Sequence, residues 1–145
     1  MAELHKGVDF VGVTLVYYCH DGAGNFVMAL RGKGARDEHG RWELGSGGLE
    51  FGETIEDRLR TEVREEYCAE ILEFEFLGYL EMHRQQQGRP THWLALVFKV
   101  LVDPSQVRIG EPHKFDNIGW FSLDKLPQPV HSHFPALVER FRAKP

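Results

Sequence analysis

Cysteine is scarce in this chain. Cys19 and Cys68 are the two that its 145 residues contain. Neither belongs to a CxxC pair or to a zinc-ligand spacing, so a disulfide-stapled scaffold and a structural zinc site are excluded. Free thiols of this kind fit a reducing compartment. Long apolar runs are missing too: no segment approaches the roughly 18 consecutive apolar residues of a membrane span. The opening MAELHKGVDF carries no apolar signal core. The expectation is a cytoplasmic protein with no membrane partner. There is no excess of positive charge either, since 17 Lys and Arg against 22 Asp and Glu leave a net charge of -5. A nucleic-acid binder needs a basic stripe, so nucleic acid is not an expected partner. A small nucleotide remains compatible with the charge, because a metal ion can neutralise phosphates locally. With neither repeats nor low-complexity tracts, the remaining composition, 42% apolar and 27% charged, is that of one ordinary globular domain over residues 1–145.

Val8 to Cys19 is rich in β-branched and aromatic residues and predicts a strand. His20 to Asn25 predicts a turn, and Phe26 to Arg31 a second strand that closes a hairpin. Gly32 to Arg41 reads as a loop, Trp42 to Leu44 as a short strand, and Gly45 to Gly52 as a glycine-rich loop. Thr54 is the predicted N-cap of a helix that ends near Cys68, with Glu56 and Asp57 in its first turn. Ile71 to Arg84 predicts one or two strands, Gln85 to Pro90 a loop, and His92 to Val102 a strand buried on both faces. Asp103 to Asn117 reads as a long loop, Ile118 to Phe121 as a short strand, and Ser122 to Leu126 as a helical turn. Phe134 to Lys144 has helical spacing. Strands flanked by two helices predict an α/β domain with a mixed sheet packed between helices.

The helix after Thr54 carries the chemistry. At ~100° per residue, Leu59 and Val63 fall about 40° and 80° round from Ile55, which defines an apolar stripe. Glu66 falls at about 20°, Glu62 at about 340° and Glu65 at about 280° on the same wheel. Two of the three carboxylates therefore lie in or beside the buried sector. As neighbours at i+3 and i+4 they repel one another, more strongly when partly buried. Arg58, one turn before Glu62, supplies one positive charge but cannot serve all three. A divalent cation can, and Mg²⁺, which prefers hard oxygen ligands, is the natural candidate, with Mn²⁺ as an alternative. Read alone, Glu62-Val63-Arg64-Glu65-Glu66 also fits a solvated surface. The glycines upstream favour the ligand: Gly45, Gly47, Gly48 and Gly52 allow close backbone approach just before a helix N-terminus that can meet phosphate oxygens. Glu50 and Glu53 add carboxylates to the same stretch. No GK[ST] follows, so this is not a Walker loop.

These residues resemble the Nudix signature, G-x5-E-x7-R-E-U-x-E-E-x-G-U with U a bulky aliphatic. Gly47, Glu53, Glu62, Val63, Glu65 and Glu66 match it in register. Trp42-Glu43-Leu44 before the box and Trp120-Phe121 late in the chain are also similar to the MutT-like members of the family. The resemblance implies an α/β/α sandwich and hydrolysis of a nucleoside diphosphate linked to another group. It implies metal ligation by Glu65 and Glu66, a metal or general-base role for Glu62, and help from the carbonyl of Ser46. It also implies a further carboxylate from a late loop, for which Glu111 is the first candidate and Asp116 the second. The sequence departs from the pattern in three places. Thr61 replaces the box arginine, for which Arg58 or Arg64 is expected to substitute. Cys68-Ala69 replaces the closing glycine and aliphatic. Gly45-Ser46 replaces the usual Pro-Gly.

Outside the box, Arg31 and Lys33 are candidate phosphate contacts, with Gly47, Glu50 and Glu53 completing the expected substrate-binding set. Phe10, Tyr17, Trp93 and Trp120 are candidates for base stacking, although aromatics in strands are commonly core. His131 and His133 form an H-x-H without a third ligand at useful spacing and read as a surface loop. The leading expectation is a nucleoside triphosphate pyrophosphatase. The alternatives are a nucleotide-sugar hydrolase of the GDP-mannose or ADP-ribose type and a catalytically silent nucleotide-binding domain. A homodimer is left open.

Overall fold

In the computed structural model, which describes residues 2–141, strand β1 (Gly12–His20) runs parallel to β6 (Arg89–Val102) and antiparallel to β2 (Phe26–Arg31). Beyond β2 lie β3 (Trp42–Glu43) and β7 (Phe115–Phe121), while β5 (Ile71–Gln86) forms the opposite edge beside β6. The seventh strand of the sheet, β4 (Gly45–Gly48), pairs antiparallel with the first half of β1. The mixed sheet has a helix on each face. Alternation along β1 sends Leu15, Tyr17 and Cys19 into one core with Leu59, Val63 and Tyr67 of α1 (Ile55–Tyr67). Val16 faces the other way, toward Leu137 and Phe141 of α2 (Phe134–Phe141). The expected α/β sandwich is therefore the observed one. Leu59 and Val63 are fully buried, each contributing roughly 1.5–3 kcal/mol of transfer free energy.

Both ends of α1 obey the sequence. Thr54 Oγ1 accepts from the Asp57 amide at 3.1 Å. Cys68 closes the helix in the left-handed conformation, with φ 60°, and its amide donates to the Arg64 carbonyl at 3.0 Å. That is where the Nudix signature has glycine, the residue suited to a left-handed cap. Cys68→Gly should therefore raise stability by about 0.5–1 kcal/mol, read as a higher denaturant midpoint with unchanged slope. A lower midpoint would show that the cysteine side chain contributes more than its backbone costs.

Several expectations are corrected. The strand begins at Gly12, not Val8, because residues 7–9 form a turn closed by a Lys6–Phe10 bridge: the Gly7 amide donates to the Phe10 carbonyl at 2.7 Å and Asp9 captures the His5 amide at 2.7 Å. Gly45–Gly48 is strand, not loop, because β1 supplies a backbone ladder that glycine propensity does not reveal. Ile71 to Gln86 is one continuous strand, and the expected loop shrinks to a Gln87-Gly88 turn with both φ positive, 53° and 76°. That pairing is the type I′ pattern that matches the twist of a hairpin. Strand β7 starts at Phe115, three residues inside the expected loop, whose only helical piece is the 3-10 turn Pro104–Gln106. Ser122 to Lys125 is a turn closed by a bridge, not a helical one. The expected extension of the last helix to Lys144 lies outside the described residues.

Candidate active site

Helix α1 carries Glu62 and Glu66 under β4, and both are buried, with relative exposures of 6% and 1%. Glu65 is exposed, as its place on the wheel predicts. A Cβ at Gly47 would collide with the Glu62 carboxyl, so a glycine there is what lets strand and carboxylate approach. Arg58 forms an ion pair with Glu62 and reaches Glu53 at 3.4 Å. Of the two arginines expected to stand in for the box arginine, Arg58 is the one in place. Arg64 turns to Glu70, 2.9 Å away.

Glu66 accepts hydrogen bonds from the Tyr17 hydroxyl and, at 3.2 Å, from the Ser46 amide. Its second oxygen lies 3.5 Å from Lys114 Nζ. Burial pushes its pKa up to about 7, against the pull of Lys114 and Tyr17, and the negative charges of Glu43 and Glu111 add to the rise. Glu111 is thus within electrostatic reach of Glu66. The Gly110 amide brings that loop in by donating to the Glu66 carbonyl at 2.9 Å. Asp116, the second candidate, stands instead against Gly32.

Above the β4 glycines opens a cleft of about 270 Å³. Ser46, Gly47 and Gly48 form its floor, with Lys114, Arg36 and Arg84 as cationic lining and Trp93 as an aromatic wall. Trp93 packs so closely on Gly7 and Gly12 that a Cβ at either would strike its ring. Among the aromatic candidates only Trp93 lines this cleft: Phe10 is exposed, while Tyr17 and Trp120 belong to the core.

Other expected contacts sit elsewhere. Arg31 borders the cleft, but Nε and Nη2 bind Asp37, at 2.7 and 3.0 Å, and Nη1 binds Glu43. Glu50 pairs with Lys6 at 2.9 Å, and Glu53 serves Arg58 and the Glu50 amide. Lys33 is exposed. His131 and His133 lie in a loop that forms part of the cleft wall. His131 Nε2 meets Glu38 at 3.0 Å, and burial holds the imidazole pKa down at about 4 despite that carboxylate, so it is neutral near pH 7. Glu38 also accepts from Arg84 at 2.6 Å and from Ser132, tying three chain segments into one wall. Lys114, Glu43 and Glu38 were not singled out from the sequence. No local spacing marks them, because their partners come from distant segments.

The donors suit a hard divalent ion in kind. Glu66 is a fully buried carboxylate whose nearest ammonium is 3.5 Å away, and the missing side chain of Gly47 lets the Glu62 carboxyl lie directly against β4. They are not drawn together: among the described residues no three acidic, His or Cys side chains converge closely enough to hold an ion.

The model of the NUDIX domain matches residues 10–141. Over 94 residues the chain is 31% identical to the nucleoside triphosphatase NudI of Escherichia coli O139:H28, covering 60% of this chain and 65% of that protein. The chain thus spans just under two thirds of the length of the curated relatives it matches. Among solved structures, a MutT NUDIX hydrolase from Burkholderia pseudomallei superposes with TM-score 0.78 at 25% identity, over 90% of this chain and 97% of that one. The NUDIX domain of Shewanella oneidensis NrtR, solved with ADP ribose, gives 0.68 at 16% identity over 92% and 86%, a likeness of fold. With the box glutamates on α1, the glycine strand beneath a cationic cleft, and a family match along nearly the whole described chain, the protein belongs to the Nudix hydrolase family and is MutT-like.

Proposed function

We propose that this chain is a Mg²⁺-dependent pyrophosphohydrolase acting on nucleoside triphosphates, with Mn²⁺ able to replace Mg²⁺. The observation that carries the reading is the buried Glu66 carboxylate beside a cleft lined by Lys114, Arg36 and Arg84. The name of the NudI relative supports the substrate class. In this reading Glu65, Glu66, Glu111 and the Ser46 carbonyl hold the cation. When bound, it polarises the phosphoryl group and lowers the pKa of attacking water. Lys114 and Arg36 place the phosphates, and the backbone of Gly48 admits them closely. Glu62, held by Arg58, accepts the proton of the attacking water on its carboxylate. Trp93, seated on two glycines, offers a rigid face to the base. Glu50 and Glu53 support the loop rather than touch phosphate. The free Cys19 and Cys68 fit the cytoplasm, and no helix among the described residues is long and apolar enough to cross a membrane.

A second reading, hydrolysis of a nucleotide sugar, draws on the ADP ribose bound by the NrtR domain. A hydrolysis screen over nucleoside triphosphates, ADP-ribose and GDP-mannose, with products identified by mass, separates the two. Release of a nucleoside monophosphate and pyrophosphate with Mg²⁺, and none with EDTA, is the expected result. Binding without turnover of any substrate would make the chain a silent nucleotide binder.

A further inference from the structure

Two departures from the signature, Gly45-Ser46 in place of Pro-Gly and Thr61 in place of arginine, have their structural counterpart in one side chain. Tyr17 of β1 lies directly opposite Gly45 of β4. Its ring is fully buried, edge-on to Tyr67 of α1 with centroids 6.0 Å apart. A Cβ built on Gly45 would fall on the Tyr17 ring. The ring therefore occupies the space that any larger residue at position 45, proline included, would need.

From that seat the ring delivers its hydroxyl to Oε1 of Glu66. A buried phenol needs an acceptor and a buried carboxylate needs donors, so each satisfies the other. The Ser46 amide, next to Gly45, donates to the same oxygen at 3.2 Å. Oε1 is thus held from the core side by two donors, while Oε2 is the oxygen that meets Lys114 of the cleft. Thr61 lies one residue before Glu62, and no hydrogen bond links it to Glu66, whose orientation is set instead from β1.

We infer that Tyr17 is the positioning residue of Glu66: its hydroxyl fixes the carboxylate so that the second oxygen, Oε2, faces Lys114 and the cleft, and Gly45 is small in order to seat the ring. The inference rests on the proposed cation-dependent activity and deepens it. Thr61 and Gly45 then belong to one arrangement in which the task of orienting the glutamates is divided, Arg58 holding Glu62 and Tyr17 holding Glu66.

Tyr17→Phe removes the hydroxyl and keeps the ring. It should weaken Mn²⁺ binding, followed by electron paramagnetic resonance, about tenfold, and lower kcat for the best nucleoside triphosphate about 10–100-fold. KM should stay within about twofold and the melting temperature within a few degrees, since the ring packing survives. In metal-free buffer, Gly45→Ala should lower the melting temperature by about 5 °C or more, and Tyr17→Val should remove most of that penalty in the double variant. Unchanged Mn²⁺ affinity and kcat in Tyr17→Phe would overturn the inference, as would tighter binding, which would make the hydroxyl an obstruction. An equal Gly45→Ala penalty with and without the ring would overturn the seating claim. Wild-type protein that takes up no Mn²⁺ would instead sink the activity beneath it, and the inference with it.

Discussion

Glu66→Gln is expected to lower turnover on the order of a thousandfold, the scale seen when a group aimed at the developing charge is removed. The fold should survive, because Gln is nearly isosteric and its oxygen can still accept from Tyr17 and the Ser46 amide. The same variant carries a pH signature. Burial raises the folded-state pKa of Glu66 from its ordinary 4.5 to about 7. A raised pKa means that the group's stabilising contribution is complete below about pH 4.5 and is lost as pH rises through about 7. The loss amounts to at most about 3 kcal/mol. In EDTA, wild-type stability should therefore fall across that window more steeply than that of Glu66→Gln. Mg²⁺ at about pH 8 should restore the wild type and leave the variant unmoved. Parallel pH curves for the two proteins would mean that Glu66 is not the desolvated acid described above.

The second large effect belongs to Arg58. Its guanidinium bridges Glu53 and Glu62, with side-chain exposures of 20% for Arg58 and 8% for Glu62. Arg58→Ala leaves the Glu62 charge buried without a partner, which costs about 3 kcal/mol. For a domain of this size that corresponds to a melting temperature lower by about 10 °C. Turnover should fall at least about tenfold even at temperatures where the variant is folded, because Glu62 loses the group that aims it. Arg58→Lys, which keeps the charge but not the fork, should fall between the two. Wild-type turnover in Arg58→Ala would dismiss its role as substitute for the missing box arginine.

The carboxylate helix was legible because its periodicity and caps are local properties. Thr54, the Leu59 and Val63 stripe, and the inward turn of Glu62 and Glu66 all follow from about 100° per residue. The glycine strand was not legible. Gly45 to Gly48 carry no side-chain pattern, and glycine is depleted in strands. What makes them strand is a partner ladder from β1 and two side chains, Tyr17 and Glu62, that take the space their own would fill. Arg31, at the end of the second strand, was read as a candidate phosphate contact. Asp37 and Glu43, supplied by segments further along, turn its nitrogens inward. Lys114, Glu43 and Glu38 matter through partners brought together only by the sheet. The H-x-H at His131 and His133 lies in a loop as expected; that the loop meets Glu38 was not legible, because Glu38 is distant in sequence.

The claim on which the account depends is that the buried Glu66 of α1, joined by Glu65 and Glu111, takes a divalent cation beside the cleft. Titrating the wild-type protein with Mn²⁺ at about pH 8, with the free ion followed by electron paramagnetic resonance, tests it directly. The account predicts one saturable site that Mg²⁺ displaces and that Glu66→Gln abolishes. Failure of the wild type to bind the ion, or equal binding by both proteins, would contradict it.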